Sequence, residues 1–537
     1  MNVDSVLDVG YRLAALAGVT LVALLTSAVV EELRRPRDLP PYPGGRRPLP
    51  FIGHRLLLPS VKSWITFRKW NEESPIVAFW NGSTPTILIG NGQIAVDLME
   101  KRSQKYSSRP RFVVAGDLLT ENRTILFAPY GEQWRGYRRA LHLATMNKSV
   151  DSYKPIFEAE GKSLAVNLLN DPDDFYQLIY RYTASSVVAV AYGRRVKDTN
   201  TDVAYKRLQA NLEFLIRINV PGAQWHETIP ALKYLPASLN PIKCLALQFR
   251  QQGRANAAAL VEEVRRKMAL GIAPHSFARQ MLEQRDKFPY LEDFEFNGTM
   301  GSLFGAGVDT TSATLHSLIM AMAVHPEAQR KVHEEMERVV GDARSPGWED
   351  EEDLPYLRAV IIESMRWRPV AILGGTAHAS TEDDVYEYGG KSYFIPKGSI
   401  ILAPLWSIHM DPTVYGNPDA FIPERFLDGR AYPGAAQHNH SSFGWGRRVC
   451  PGAYFAERSL YLTSARLLWG FKFIATELID TSMETGYTDG FNCRPRPFRC
   501  RIEPRNDEVR QTILREGAEA AEYLAPFEVS LDEPVKV

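Results

Sequence analysis

Cysteine is scarce in this sequence, and neither sign of charge is in excess. Only four of the 537 residues are cysteines, which is too few for a fold that depends on disulfides, and no Cys-x-x-Cys spacing is present for a zinc site. The 63 basic and 63 acidic residues cancel, so we expect no nucleic-acid partner. With 45% apolar and 23% charged residues, the composition is that of an ordinary globular protein.

Long apolar runs are also scarce, and the one that stands out is Leu13–Val30, with 18 uncharged residues. As a helix it would be about 27 Å long, close to the roughly 30 Å of a bilayer's hydrocarbon core. A cleaved signal peptide is the alternative, but the preceding segment carries two aspartates against one arginine. Because Arg34, Arg35 and Arg37 follow the run, the positive-inside rule predicts a membrane anchor over residues 1–35, with the body in the cytoplasm.

Proline is concentrated in residues 36–50, where six prolines prevent a helix from continuing. The segment predicts a stiff, extended hinge between anchor and body, although a plain linker would have the same composition. Beyond residue 50 we find no repeat and no second linker, so residues 51–537 are expected to form one domain. Its patterns are mainly helical with a minor β region. The β-like segments are Ile76–Ile89 and Tyr386–Ile401, and the helical ones include Ala159–Leu169, Ala255–Ala269, Phe294–Val324, Glu327–Val340, Leu357–Trp367 and Ala453–Leu468.

Cys450 is the cysteine whose surroundings indicate chemistry. Pro451 suits the first position of the helical pattern that follows, which would place Cys450 at the helix N-cap. There the helix dipole and the unpaired N–H groups favour a thiolate. The alternative for a lone cysteine is a small core residue. Neighbouring glycines permit positive φ angles and close approach to a flat partner, and neighbouring arginines add positive charge; these residues are Gly444, Gly446, Arg447, Arg448 and Gly452.

The pattern Phe443-x-x-Gly446-x-Arg448-x-Cys450-x-Gly452 resembles the haem-binding signature of the cytochrome P-450 monooxygenases at every fixed position. The resemblance extends over about residues 36–510 and is strongest to microsomal members from filamentous fungi. It implies a mainly helical fold with a minor β region and one N-terminal transmembrane helix. It also implies haem b (iron protoporphyrin IX), with Cys450 as the iron ligand and Phe443, Gly446, Arg448 and Gly452 as cofactor-binding residues. A thiolate ligand donates electron density that favours O–O cleavage.

A second family element is the Ala-Gly-Val-Asp-Thr-Thr segment at residues 306–311, inside the longest helical pattern. Gly305 and Gly307 each cost about 1 kcal/mol in a helix relative to alanine, and we interpret them as a groove with room for a diatomic ligand and water. By resemblance, Thr310 is the oxygen-side hydroxyl and Asp309 its proton-supplying neighbour, the two catalytic residues. The alternative is a threonine that bonds back to a helix carbonyl and bends the helix.

A third element is Glu363 and Arg366, which stand at i,i+3 on one helix face and can pair. If exposed, such a pair would contribute little to stability. The family's Glu-x-x-Arg pattern implies instead a buried network completed by Arg425, with a structural role and no chemistry.

Haem carries two propionates, which need cationic or donor partners. By resemblance these are Trp134 and Arg138 of a Trp-x-x-x-Arg pattern on one helical face, together with Arg448. His378 is a fourth candidate, but it lacks the preceding proline that relatives often show, which puts the path of its loop in doubt.

The resemblance implies an enzyme that inserts one atom of O₂ into a lipophilic small molecule, such as a fungal terpenoid, polyketide or alkaloid. Because no flavin or NADPH segment is evident, electrons would come from a separate NADPH–haemoprotein reductase at the endoplasmic reticulum membrane. By family analogy, the apolar pocket is lined by Phe112–Phe127, Phe296–Phe304, Ala371–Leu373 and Phe491. A haem-thiolate isomerase, dehydratase or peroxygenase is one alternative, against which the intact Asp309–Thr310 pair argues; a non-catalytic haem sensor is the other.

Overall fold

The computed structural model describes residues 38–427 and 440–529, together with isolated positions before residue 38. The predicted anchor at Leu13–Val30 lies mostly outside these residues. Among the residues that are described, no helix combines the length and the apolar character needed to cross a membrane.

Helices make up most of the described chain, in agreement with the predicted class. The first half contains α1 (Ser63–Glu73), α2 (Gly92–Ala95), α3 (Ser103–Tyr106), α4 (Glu132–Thr145), α5 (Asn147–Ser152), α6 (Lys154–Asn170), α7 (Phe175–Tyr192), α8 (Val203–Ile218), α9 (Trp225–Thr228) and α10 (Pro241–Ala269). The second half contains α11 (Phe277–Glu283), α12 (Asp293–Val324), α13 (Pro326–Val339), α14 (Pro355–Trp367), α15 (Leu405–His409), α16 (Pro412–Tyr415), α17 (Ala453–Gly470) and α18 (Asp507–Leu524). Two π-helical segments, Val96–Lys101 and Val113–Thr120, join the shorter helices.

The strands form three small sheets in the described chain. The largest sheet has the strand order β1–β2–β6–β3. Its first two strands, β1 (Ile76–Asn81) and β2 (Thr84–Ile89), are antiparallel. The third, β6 (Ile400–Leu402), runs parallel to β2 and antiparallel to β3 (His378–Ala379). Two hairpin-like pairs complete the β structure: β4 (Asp384–Tyr388) with β5 (Lys391–Ile395), and β7 (Phe471–Ala475) with β8 (Cys500–Pro504).

The 32-residue helix α12 is the central element of the fold. A capping box begins it, in which the Glu292 backbone N–H donates to the Glu295 carboxylate at 2.9 Å. Its C-terminal half, from residue 311 to 323, is buried almost without interruption, so this half is surrounded by protein. The helix packs against α7 along much of its length and also contacts α10, α14 and α17. This position carries the Asp309–Thr310 segment into the interior.

Two residues of the proline-rich segment form hydrogen bonds with β strands. The Pro41 carbonyl accepts the Ala78 N–H of β1 at 3.0 Å, and the Asp38 carbonyl accepts the Phe394 N–H of β5 at 2.6 Å. Asp38 and Pro41 are therefore bonded to the β region, and the predicted hinge over residues 36–50 remains a prediction. The boundary predicted at residue 51 remains a prediction.

Candidate functional site

Cys450 lies on a short loop that leads into α17. The Cys450 N–H donates to the Phe443 carbonyl at 2.9 Å, which closes the loop into a compact turn. The helix begins at Ala453 with Gly452 as its N-cap, so Cys450 precedes the observed N-cap by two residues. The expectation of a cysteine N-cap was wrong because residues 451 and 452 form a turn before the helix starts.

The thiol of Cys450 is held in a buried environment that works against its ionisation. Burial raises its pKa, while the Gly452 N–H and the nearby Arg138 guanidinium lower it. The helix N-terminus therefore still contributes an N–H to the sulfur, as the sequence suggested. Full ionisation needs a further positive charge, which a bound metal ion supplies to a cysteine ligand.

Two of the three glycines predicted to shape this loop have the backbone conformation that glycine alone adopts easily. Gly444 and Gly446 have φ angles of +79° and +58°. A Cβ atom on Gly446 would also lie 2.1 Å from the Met99 carbonyl oxygen, so no side chain fits there. Gly452 differs, since its φ is −96° and its nearest neighbour to an added Cβ is the Cys450 sulfur at 4.0 Å.

Cationic side chains surround the loop without carboxylate partners. Arg448 donates to the carbonyls of Ser107 and Ala128 at 2.7 and 2.8 Å and lies over the Trp134 ring at 4.5 Å. Arg138, one turn along α4 from Trp134, donates to the Val449 carbonyl at 2.7 Å. Burial, together with the charge of Arg138, lowers the pKa of Arg448 to about 9. The Trp-x-x-x-Arg pair therefore contacts the cysteine loop from one helix face.

Arg109 is a further member of this cluster that sequence reasoning missed. It donates to the carbonyls of Leu126, Thr376 and Ala377 at 3.0, 2.6 and 3.0 Å. Its only local signal is the Ser-Ser-Arg-Pro context, which is too common to identify a site. In the described part of the chain, Arg109, Arg138 and Arg448 form no ion pair with a carboxylate, so their charges are left uncompensated.

His378 belongs to the same cluster, although its preceding proline is missing. It lies on β3, is buried, and its Nδ1 is 2.8 Å from the Tyr106 carbonyl oxygen. Burial and the charges of Arg109 and Arg448 lower its pKa well below the usual range, so the imidazole is neutral near pH 7. Because the Nδ1 hydrogen is donated to the Tyr106 carbonyl, the neutral ring presents Nε2 as an acceptor, and it can bond an acidic group only when that group carries the proton.

Asp309 and Thr310 are brought to the middle of α12, but their functional groups do not touch. The Thr310 hydroxyl donates to the Ala306 carbonyl at 2.6 Å, which is the back-bonding alternative. The Asp309 carboxylate is buried and accepts hydrogen bonds from Tyr180, Asn492 and Arg494 instead. A proton relay between the two residues remains a prediction, and it requires a side-chain movement or a bridging water.

The chain is similar throughout to proteins of one family. The sequence profile of that family, described as cytochrome P-450, matches residues 43–501. The chain belongs to the cytochrome P-450 family. Cytochrome P-450 monooxygenase 58 of Postia placenta is 33% identical, with 90% of this chain and 92% of that protein aligned. A cytochrome P-450 monooxygenase of Armillaria gallica is 34% identical, with 94% and 97% aligned. A zebrafish cytochrome P-450 solved with progesterone shares the fold, with a TM-score of 0.67 at 24% identity over 82% of this chain and 99% of that one.

The P-450 site residues fit haem b, the cofactor of the family. Among the described residues no carboxylate pairs with the cationic cluster, a role that two propionates would take, and Cys450 would provide the sulfur for the iron. The residues that would hold the group are Cys450, Arg109, Arg138, Arg448, Trp134 and His378. Haem bound through a cysteine thiolate supplies the redox chemistry with which a P-450 monooxygenase, an oxidoreductase, activates O₂.

The P-450 Glu-x-x-Arg network is formed as the resemblance implied. Both carboxylate oxygens of Glu363 accept from Arg366, at 2.6 and 2.7 Å, and both side chains are fully buried. Arg425 lies 3.6 Å from Glu363 and donates to the carbonyls of Tyr415 and Asn417. Arg366 also donates to the His409 and Pro418 carbonyls at 3.1 and 2.8 Å. The network thus ties α14 to the chain segment that precedes the cysteine loop.

A largely apolar cavity of about 260 Å³ lies beside the N-terminal half of α12. It is lined from α12 by residues 294–305 and from the loop after the second π-helical segment by residues 119–125, which agrees with two of the predicted lining regions. Ala371–Leu373 and Phe491 do not line it. The remaining wall comes from α8, from α10 and from Tyr137 and Leu141 of α4. An added Cβ at Gly305 would meet no atom, whereas one at Gly307 would meet Val187 of α7 at 3.0 Å. Gly305 therefore leaves open space beside α12, whereas Gly307 allows α7 to pack closely against α12.

Proposed function

We propose that this P-450 inserts one atom of O₂ into a lipophilic small molecule of fungal specialised metabolism. The observation that carries the proposal is the combination of Cys450 on a loop of positive-φ glycines with a cationic cluster that pairs with no carboxylate in the described chain. The cavity along α12 supports a lipophilic substrate, because most of its surface is apolar, with side chains such as Leu119, Leu212 and Phe304.

Asp309 and Thr310 are proposed to carry protons to the oxygen side of the haem. Thr310 donates its own hydrogen to Ala306, so its hydroxyl oxygen is free to accept a hydrogen bond on the other side. Asp309 is the acidic side chain next to it in the sequence. Proton delivery in step with oxygen activation is what favours product over hydrogen peroxide.

Electrons are proposed to come from a separate NADPH–haemoprotein reductase. Arg447 is exposed beside the cysteine loop and donates to the Tyr130 hydroxyl at 2.6 Å. Arg135 and Arg139 are exposed on α4 nearby, so these three arginines form a basic surface suited to an acidic partner. Arg448, next to Arg447 in the sequence, is buried and is not part of this surface. Residues 1–35 are proposed to hold the enzyme at the endoplasmic reticulum membrane, facing the cytoplasm.

Replacing Cys450 by serine tests the assignment of the iron ligand. Cys450→Ser should lose the long-wavelength carbon monoxide difference absorption that a thiolate-ligated ferrous haem gives, since a hydroxyl does not replace the thiolate. Cys244→Ser is the matched control, because Cys244 is exposed and distant in sequence from the site. A Cys450→Ser protein that keeps the thiolate spectrum would contradict the assignment.

An optical titration with lipophilic natural products tests the substrate class. A compound that enters the cavity and displaces water from the haem shifts its spin state, and the class that does so identifies the substrate family. If only polar compounds produced the shift, the proposed lipophilic substrate would be wrong.

A further inference from the structure

The chain continues past the part that matches the family. The P-450 profile ends at residue 501, whereas the structure describes a further helix, α18, and a short turn that reaches residue 529. We call residues 505–529 the C-terminal strap. Terminal segments are poorly ordered unless other parts of the fold hold them. Here α18 packs closely on α6, because an added Cβ at Gly517 would collide with Val166, and Ala159, Ala520 and Leu524 form a small buried cluster between the two helices.

The first half of the strap is bonded to the segment that joins α13 to α14, residues 341–353, which we call the connector. Arg505 and Asn506 donate to the Asp342 carboxylate at 2.6 and 2.7 Å. The Glu516 carboxylate of α18 accepts the Ser345 N–H at 2.9 Å and also the Ser345 hydroxyl. Since the Glu516 side chain is only 10% exposed, water does not easily replace these bonds.

The connector is bonded in turn to α17, the helix that follows Cys450. Three side chains of α17, spread over about three helical turns, donate to it. They are Trp469 to the Gly341 carbonyl at 2.7 Å, Tyr461 to the Gly347 carbonyl at 3.0 Å and Arg458 to the Glu351 carboxylate at 2.5 Å. The connector is therefore held by the strap and by the helix that leads out of the cysteine loop.

The end of the strap completes a charge network at α6 and α7. The Glu160 carboxylate, which is 0% exposed, accepts from Arg181 at 3.1 Å and from Arg195 at 2.8 Å. Two cations thus share one carboxylate, which leaves one positive charge over. Glu528 of the strap provides the second carboxylate, 2.5 Å from Arg195 Nη1, and the Arg195 N–H donates to the Phe527 carbonyl at 2.8 Å. In the described chain, no other carboxylate pairs with these two arginines.

We propose that the C-terminal strap is the closing element of this fold: it locks α6 and the connector in place, and through the connector it holds α17 and so the haem. The inference goes beyond the proposed function, and it does not depend on the substrate. Because the strap is the last part of the chain to be synthesised, both of its attachments form only on a complete chain. Tight haem retention is therefore a property of the full-length protein.

The first test compares two glutamates of α18 by hydrogen–deuterium exchange of the full-length, haem-loaded protein, followed by mass spectrometry of its peptides. Glu516→Gln should speed exchange of the connector, residues 341–353, about tenfold or more, which is the factor expected for a lost hydrogen bond to a charged group. Glu522→Gln is the matched control, because Glu522 is exposed and its side chain bonds to no residue that the structure describes. Equal connector exchange in the two variants would overturn the proposal.

The second test examines the other attachment. Glu528→Gln should speed exchange of residues 193–197 and 525–529 and leave the connector unchanged, because it removes the second carboxylate from the buried arginines. Lys197→Gln is the control, since Lys197 is 62% exposed and contacts the same carboxylate from the solvent side. Its effect should be small, as for exposed ion pairs in general. If Glu528→Gln behaved like Lys197→Gln, the end of the strap would not be an attachment.

The third test follows the haem itself. Transfer of haem to an excess of apomyoglobin, recorded by absorbance, gives the rate at which each variant loses its cofactor. Glu516→Gln should lose haem about twofold faster or more, because a ligand that binds the folded form is released as that form loosens, and Glu522→Gln should match the wild type. Faster exchange of the connector with an unchanged rate of haem loss would overturn the link from the strap to α17.

Discussion

Replacing Glu363 by glutamine should destabilise the protein strongly, because Glu363 is the buried half of an ion pair. The pair is bidentate, with Arg366 Nε and Nη2 at 2.6 and 2.7 Å from the carboxylate oxygens, and the two side chains are 0% and 2% exposed. The isosteric glutamine leaves the Arg366 charge buried without its counter-ion. Breaking a buried pair in this way costs about 3–5 kcal/mol of unfolding free energy.

The chain contains a control with the same sequence spacing and the same geometry. Glu327 and Arg330 on α13 also stand at i,i+3, and Arg330 Nε and Nη2 lie 3.0 and 2.6 Å from the carboxylate oxygens. This pair differs in exposure, since its side chains are 65% and 53% accessible to solvent. Glu327→Gln should therefore leave stability unchanged within error, because water already solvates both charges.

The assay is urea unfolding followed by far-ultraviolet circular dichroism, with the two variants and the wild type at equal protein and haem content. A lower midpoint at an unchanged slope reports a change in stability alone. A Glu363→Gln protein that unfolds at the wild-type urea midpoint would contradict this prediction. So would a Glu327→Gln protein whose midpoint is lowered as much as that of Glu363→Gln. Either result would mean that burial does not decide the strength of these pairs.

Two other predictions concern the cysteine loop and acid stability. Gly446→Ala should reduce haem content and stability more than Gly444→Ala. Either alanine must adopt a left-handed backbone conformation, which costs about 1–2 kcal/mol, but only at Gly446 does a backbone oxygen lie 2.1 Å from the added Cβ. Equal losses in the two variants would contradict this prediction. His316 and His409 are buried, and burial lowers both pKa values to about 3. Since the unfolded chain protonates them near 6.5 and the folded chain does not, stability should fall as pH drops from about 6.5 toward 3, by up to about 1.4 kcal/mol per pH unit for each histidine. His409→Gln should reduce this slope, as urea midpoints at several pH values would show.

Features encoded by residues close together in the sequence were predictable. The Glu363–Arg366 pair and the Trp134–Arg138 face follow from helical spacing alone, and the cysteine loop follows from a short motif. The helix containing Asp309 was likewise predicted within one residue of its observed start. In each of these cases the partners are separated by a few positions, so local geometry determines their contact.

Features that depend on distant segments were not predictable in the same way. Arg494 meets Asp309 across 185 positions, and Arg109 meets the Thr376 carbonyl across 267. Nothing in the local pattern of either arginine distinguishes it from a surface residue. The direction of the Asp309 side chain was not predictable for the same reason, since its partners are Tyr180 of α7 and the C-terminal residues Asn492 and Arg494.

The arginines around Cys450, which form no ion pair within the described ranges, have a consequence for the cell that produces this enzyme. Arg109, Arg138 and Arg448 repel one another in a buried region, so the folded chain is strained electrostatically until a dianionic cofactor arrives. A ligand that binds only the folded form stabilises it in proportion to the logarithm of its concentration. The amount of mature enzyme should thus follow the supply of haem as well as the rate of translation, and haem starvation should send newly made chains to proteolysis.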